Sequence, residues 1–261
     1  MTCLTTLCSG GGDPTKCNYC HRRPRLNPHN QCGRRCRDRS RVACLMCRCR
    51  PKLRNYHFCG RTCRDLAMTT TPKIVEIPQG HVTWKQVETK FNKSWRPPNK
   101  IIKPTIRHIY KIVESAMFLD PYNTYRKRIG NECFRYHGTT RLCQLGNTGQ
   151  TTLCNLPECA VCNILRTSFS VELANPSGAF GAGIYTSSAS NKSYSYSANG
   201  SGAMLLNKVV LGRRYNATAF KQVIALPSGY DSVVFNRMNG QLNETIVYAN
   251  DAIRPVYLII F

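Results

Sequence analysis

Apolar positions along the chain change their spacing twice. Beyond Pro72, Val87, Phe91 and Trp95 recur at i, i+4 and i+8, one face of a helix, and Pro97 and Pro98 close the segment. A second helix is expected from about Thr105, with Ile106, Ile109, Tyr110, Val113 and Ala116 on one side. From residue 131 the pattern shortens into β-rich runs at 132–136, 184–186, 204–211, 232–235, 245–248 and 256–261, divided by clusters of Gly, Asn, Ser and Pro. The expected fold class is α+β, with a mostly antiparallel β-core and helices at its start.

Before residue 67 there is no apolar periodicity. There is instead a repeat with a constant offset of 27: Cys17/Cys44, Cys20/Cys47, Pro24/Pro51, Leu26/Leu53, Cys32/Cys59, Gly33/Gly60, Cys36/Cys63 and Asp38/Asp65. Two copies of one small unit therefore occupy residues 15–66. Residues 67–72, a Thr-rich stretch ending in Pro72, read as a linker, and 73–261 as the main domain.

Composition decides how the repeat is read. The 261 residues include 37 Lys+Arg against 13 Asp+Glu, a formal charge of +24, and 16 Cys. No run of 18 apolar residues spans a membrane, and the first residues show no basic then apolar export segment. The expectation is an intracellular protein, nuclear or cytoplasmic, in which dense Cys means metal or thiol chemistry rather than disulfides.

Each repeat spaces its cysteines as Cys-x2-Cys-x11-Cys-x3-Cys. Two close pairs across a short loop supply the four thiolates that tetrahedral zinc requires. The first site is Cys17, Cys20, Cys32 and Cys36, and the second is Cys44, Cys47, Cys59 and Cys63. Pairing within each repeat is the simpler arrangement, and a cross-braced exchange of pairs is the alternative. A Gly after the third Cys of each repeat is expected where the chain bends sharply. A third cluster, Cys143, Cys154, Cys159 and Cys162, lies inside the main domain as an insertion at 143–162, with Cys133 as a competing ligand. Cys3, Cys8 and Cys49 are left as spare thiols. Twelve thiolates and three zinc ions would lower the formal +24 to about +18. Residues 1–66 carry 15 basic and 3 acidic groups. This Arg-rich surface suits DNA or RNA phosphates, the plain alternatives being a solvated surface or a protein-docking face.

Three further segments carry chemistry. His137 stands in Phe-Arg-Tyr-His-Gly-Thr-Thr, at the end of an expected strand where the small Gly138 lets a ligand approach the backbone. Phe180-Gly-Ala-Gly-Ile-Tyr185 is followed by Ser193 and Tyr196. Asn243-Glu244-Thr-Ile-Val-Tyr248 sets a lone carboxylate beside a strand. Taken singly, His137 could be a core histidine, the Ser/Tyr run a polar loop, and Glu244 an edge-strand charge.

Taken together, in this order, they resemble the ADP-ribosyltransferases of the poly(ADP-ribose) polymerase, diphtheria-toxin-like type with a His-Tyr-Glu triad. The resemblance is close over 130–261, including Pro255-Val-Tyr-Leu-Ile259, and looser over 73–130. It looks closest to the fungal and plant branch with a Cys-rich insertion after His-Gly-Thr. The resemblance implies NAD as substrate and a catalytic set of His137, Tyr185 and Glu244. Gly138, Thr139, Ser193 and Tyr196 would join them in binding NAD. Tyr185 and Tyr196 would sandwich the nicotinamide, Gly138 and Ser193 would hold its carboxamide, and His137 would hold the adenosine ribose. Glu244 would bond the nicotinamide ribose and stabilise the developing positive charge. The acceptor would be a protein or a nucleic acid. Hydrolysis of NAD, or NAD and ADP-ribose binding without turnover, are the competing readings.

Overall fold

The computed structural model describes residues 13, 15–97, 102–197 and 202–261. Pro98, expected to help close a helix, and the spare thiols Cys3 and Cys8 lie outside them.

Two sheets form the core of an α+β fold. The larger has five strands in the order β1 (Lys73–Glu76), β2 (His108–Val113), β9 (Ile253–Ile260), β5 (Ala203–Val210) and β3 (Glu132–Gly138), all antiparallel. The smaller runs β4 (Ile184–Thr186), β8 (Leu242–Val247), β7 (Ser232–Arg237) and β6 (Arg214–Ala217), with only β6 and β7 parallel. A bridge between Tyr136 and Ser187 joins the sheets, with N–H···O distances of 2.7 and 2.9 Å in the two directions.

The central strands read Ala-Met-Leu-Leu-Asn-Lys-Val-Val and Ile-Arg-Pro-Val-Tyr-Leu-Ile-Ile because both sheet faces are covered. Successive residues point to opposite faces. Met204 and Leu206 join Ile109 and Ile259 on one side, whereas Leu205 joins Tyr110, Leu258 and Ile260 on the other. The first face is covered by α3 (Val82–Ser94), through Trp84, Val87 and Phe91, as the i, i+4 spacing predicts. The second is covered by α5 (Ala160–Thr167) and the Cys-rich insertion, through Leu145, Val161 and Leu165.

The helix expected from Thr105 is not formed. Residues 108–113 are β2, and α4 (Ala116–Ile129) starts only after Ser115, whose side chain accepts from Phe118 N at 3.0 Å. Ile109, Tyr110, Ile112 and Val113 are buried on both faces of a strand lying between two others. Such a run also fits the i, i+3, i+4, i+7 pattern, and pairing with β9 decides the outcome.

Both repeats fold alike, each ending in a short helix: α1 (Arg34–Ser40) and α2 (Arg61–Met68). Gly33 and Gly60 precede them with φ of 160° and 170°, extended backbone with open space around the position of a Cβ. Neither glycine is required by a sharp bend there, contrary to expectation.

The second repeat is built into the core that α3 and the larger sheet share. Leu45, between two of its cysteines, is 2 % exposed and packs with Ile77, Trp84 and Phe91. Buried His81 caps α3 by accepting from Thr83 N at 3.1 Å through Nδ1, and its Nε2 lies 2.9 Å from Ala43 O. Val82 N donates to Arg41 O at 2.8 Å.

Candidate active site and metal centres

The three cysteine groups come together as the spacing predicts. Within each group the Sγ atoms lie within 4.8 Å of one another, and each repeat gathers its own four, so the pairs are not exchanged between repeats. Four sulfurs held about 2.3 Å from zinc stand about 3.8 Å apart at the corners of a tetrahedron. The shortest sulfur pairs are 3.6 Å in every group: Cys20–Cys32 and Cys32–Cys36 in the first, Cys59–Cys63 in the second and Cys143–Cys162 in the third. Donor type, number and separation thus suit zinc at all three centres.

Backbone N–H groups point at the sulfurs in knuckle fashion, Cys20 N to Cys17 Sγ at 3.5 Å and Leu142 N to Cys159 Sγ at 3.4 Å. Burial opposes a charged Cys20, yet N–H groups of Arg22 and Arg23 bring its thiol down to about 6. Cys133 stands apart from the third cluster as a half-buried free thiol on β3, and burial pushes its pKa up. Cys49 is disulfide-bonded, which corrects its reading as a spare thiol.

The site residues converge where the two sheets meet. His137 is the last residue but one of β3, and its Nδ1 lies 2.8 Å from the carbonyl of Tyr185 on β4. A carbonyl only accepts, so Nδ1 carries the proton and Nε2 is left as an acceptor. Burial lowers the His137 pKa from its ordinary value, outweighing the Tyr185 carbonyl, so the ring is neutral. The ring of Phe169, just beyond α5, packs edge-on against it with centroids 5.1 Å apart. The third cysteine cluster is thereby linked through α5 to the orientation of His137.

Tyr185 is fixed at its far end. Its hydroxyl accepts from Phe180 N at 2.7 Å and donates to Gly181 O at 3.0 Å. α6 (Ser190–Tyr194) crosses beside it and is pinned from several sides. Ser190 Oγ donates to Phe91 O at 2.9 Å, Asn191 Nδ2 donates to Gln241 O at 3.1 Å, and Asn191 Oδ1 accepts from Arg96 N at 3.1 Å. Ser193, buried, donates to Tyr136 O at 3.0 Å and keeps acceptor capacity on its oxygen. Tyr196 is 64 % exposed, with Lys192 Nζ over its ring at 5.0 Å from the centroid. Thr139 is buried at the end of β3.

Glu244 sits on β8 opposite Phe235, largely buried. Two cations that the motifs did not mark face it. Lys192 Nζ is 3.2 Å from Glu244 Oε1 and donates to Tyr196 OH at 3.1 Å, while an Arg237 N–H is 3.9 Å from the same carboxylate oxygen. Burial works against charge on Lys192, but the Tyr196 hydroxyl and Glu244 raise its pKa. The Arg237 guanidinium is braced against the rings of Phe220 and Phe235 at 4.3 and 5.6 Å. The signal that could have found both is physical. A buried carboxylate needs a cation nearby, and Lys192 is adjacent to Ser193.

The site therefore presents a neutral imidazole acceptor, a rigid phenol ring, an exposed phenol ring and a carboxylate flanked by cations, along the seam of two sheets. Among the described residues no helix is long and apolar enough to cross a membrane. No curated protein matches the chain. The poly(ADP-ribose) polymerase catalytic domain matches residues 82–255, two thirds of the length, and the chain belongs to that family.

Proposed function

We propose that the protein transfers ADP-ribose from NAD to a macromolecular acceptor and releases nicotinamide. The observation that carries this is the convergence of His137, Tyr185 and Glu244 at one seam, with His137 and Tyr185 joined by a hydrogen bond of 2.8 Å. The neutral His137 accepts from a ribose hydroxyl through Nε2. The Tyr185 ring, immobile before substrate arrives, forms one wall for the nicotinamide, and Tyr196 closes the other by stacking. Gly138 backbone groups and the Ser193 oxygen take the carboxamide, and Thr139 helps shape that end of the pocket. Glu244 bonds the nicotinamide ribose and faces the carbon that becomes electron-poor as nicotinamide leaves. Lys192 holds the carboxylate in that direction. Much of the rate comes from positioning, because the pyridinium is already a good leaving group.

In this reading residues 15–66 are two zinc modules, 67–72 a linker and 73–261 the catalytic domain with its 143–162 insertion. The three centres bind zinc, and the Arg-rich modules contact nucleic acid or the target. The tandem modules and the insertion support a reading within the fungal and plant branch of the family, and a nuclear or cytoplasmic location belongs to the same reading.

Incubation with NAD labelled in the adenylate part tests the assignment. Native protein places label on a macromolecule, and Glu244→Gln lowers that transfer by orders of magnitude while NAD binding persists. Unchanged transfer by Glu244→Gln refutes the triad. Native mass spectrometry should show three zinc ions per chain and two in Cys143→Ser.

A further inference from the structure

The third cysteine centre reaches His137 from two directions. Three residues beyond His137, Thr140 O accepts from Val161 N at 3.0 Å, in the first turn of α5. Leu142 N donates to Cys159 Sγ at 3.4 Å, and Cys143 Sγ lies 3.7 Å from Cys159 Sγ and 3.6 Å from Cys162 Sγ. The far end of α5 is tied to the same loop, because Arg166 donates to Cys154 O at 2.6 Å. Both ends of the helix therefore hang on the cysteine loop. α5 has 8 residues, a length at which a helix does not hold itself together. Val161 and Leu165 fasten its middle to the larger sheet.

The chain leaves α5 through a strained joint. Ser168 has a φ of 69°, left-handed backbone that is costly for a residue with a side chain, and its N–H is bonded to Ile164 O at 2.9 Å. Phe169 follows, buried, with its ring edge-on to that of His137 at 5.1 Å. Two residues on, Val171 N donates to Asn250 Oδ1 at 2.7 Å, so the piece from Ser168 to Ser170 is fixed at its two ends. Phe169 also lines a cavity of about 370 Å³ with Met117, Phe118, Ile253 and Arg254, in whose walls His137 has no part. Close-packed interiors seldom leave such space beside a buried ring. The ring thus has a second place to go, and the position of α5 keeps it against His137. The imidazole is tethered at one atom, Nδ1 to Tyr185 O. A ring tethered at one atom still tips about that bond, and the Phe169 contact sets the tilt that aims Nε2.

We propose that Phe169 is a positioning residue for NAD binding, and that zinc at Cys143, Cys154, Cys159 and Cys162 holds it in place. When the ion is lost, the ends of α5 loosen, the Ser168 joint relaxes and Phe169 swings into the cavity. Nε2 of His137 then no longer faces the ribose hydroxyl. The two positions of Phe169 are the element through which the metal centre biases NAD affinity. This rests on the transferase and zinc readings above. Turnover of bound NAD is spared, because Tyr185 is held by Phe180 and Gly181, and Glu244 by Lys192 and Arg237, none of them on α5.

The test compares full-length, zinc-loaded F169L and F169Y with C143S, C154S and the double variant C143S/F169L. Calorimetry gives the NAD dissociation constant, nicotinamide release gives kcat and KM, native mass spectrometry counts zinc, and thermal melting reports folding. F169L should keep three zinc ions and bind NAD about tenfold more weakly, the loss of one hydrogen bond, with kcat within about threefold of native. F169Y, which keeps the ring, should bind NAD as native protein does. C143S should carry two zinc ions and match F169L in affinity; C154S takes its place if C143S melts below the assay temperature. The double variant should lose about tenfold rather than about 100-fold, because both changes remove the same contact. Native affinity in F169L, weak binding in F169Y, native affinity in a two-zinc cysteine variant, three zinc ions in both cysteine variants, losses that multiply in the double variant, or a fall in kcat at an unchanged dissociation constant overturns the proposal. Unfolding of both cysteine variants overturns the role given to the metal, and the two Phe169 variants then decide the rest. If native protein binds NAD without releasing nicotinamide, the transferase reading falls and the dissociation constants still decide this one. If it binds no NAD, both fall.

Discussion

Gly138→Ala should disable the NAD site without unfolding the protein. A Cβ at residue 138 would lie 1.8 Å from Ser193 O, 2.9 Å from Ser193 C and 2.9 Å from Ser197 Oγ. Real Cβ contacts are not found under 3.0 Å, so the Ser193 carbonyl must retreat by 1.2 Å or more. That carbonyl belongs to α6, which also carries Lys192, and Ser193 is bonded to Tyr136 O at 3.0 Å. Retreat therefore stretches the Ser193 bond and draws Lys192 away from Glu244. A misplacement of about 1 Å costs about 100-fold in rate, and overpacking of this kind costs about 1 to 3 kcal/mol of stability. The assay is nicotinamide release across a range of NAD concentrations, with thermal melting followed by circular dichroism. Gly33→Ala and Gly60→Ala serve as controls, because nothing lies within 4 Å of either added Cβ. A Gly138→Ala protein with turnover within threefold of native would refute the reasoning.

Leu45→Ala removes a side chain 2 % exposed in the cluster shared by the second repeat and α3, and should cost about 2 to 5 kcal/mol in urea unfolding; a loss under about 0.5 kcal/mol would show that the repeat does not brace the core. Lys192→Met should lower kcat about 10 to 100-fold with a smaller change in the KM for NAD, since Lys192 orients Glu244 at 3.2 Å; steady-state kinetics separates the two constants. Burial holds the His137 pKa below 6.5, so the KM for NAD should stay flat from pH 8 to 6.5 and rise only in stronger acid. The unfolded chain takes up that proton near 6.5 and the folded chain does not. Stability therefore falls as pH drops from 6.5 towards the folded pKa, and His137→Gln should remove that part of the slope in urea titrations at successive pH values.

The cysteine spacing was legible because metal chemistry depends on residue type and short sequence distance, and all twelve expected ligands fall into the three expected groups. The apolar runs of β5 and β9 were legible for a similar reason, both faces being buried. β2 was misread because a doubly buried strand and a helix face share the spacing of Ile106, Ile109, Tyr110 and Val113. β6 escaped notice because Arg-Tyr-Asn-Ala lies at a sheet edge and alternates exposed and buried residues too briefly to register. In the site, Gly138 was marked as making room for a ligand, yet its nearest neighbour is the protein's own Ser193 carbonyl. Lys192 lay within the Ser/Tyr run without a role and Arg237 outside every motif, since their pairing with Glu244 exists only once α6 and β7 are folded against β8. The seating of the second repeat rests on Leu45 and on backbone bonds to Arg41 and Ala43, which no periodicity displays.

The burial of Leu45 has a consequence for supply and turnover in a living cell. If the second repeat holds the zinc proposed for it, loss of that ion removes the scaffold that presents Leu45 and turns Ile77 and Trp84 towards water. Quality-control proteases act on exposed apolar surface of that kind, and a change of 1 to 2 kcal/mol is enough to alter abundance several-fold. Loss of zinc at this centre would thus reduce the number of enzyme molecules rather than the rate of each one. A chain trimmed to begin after the repeats would expose the same apolar surface, whatever the metal supply.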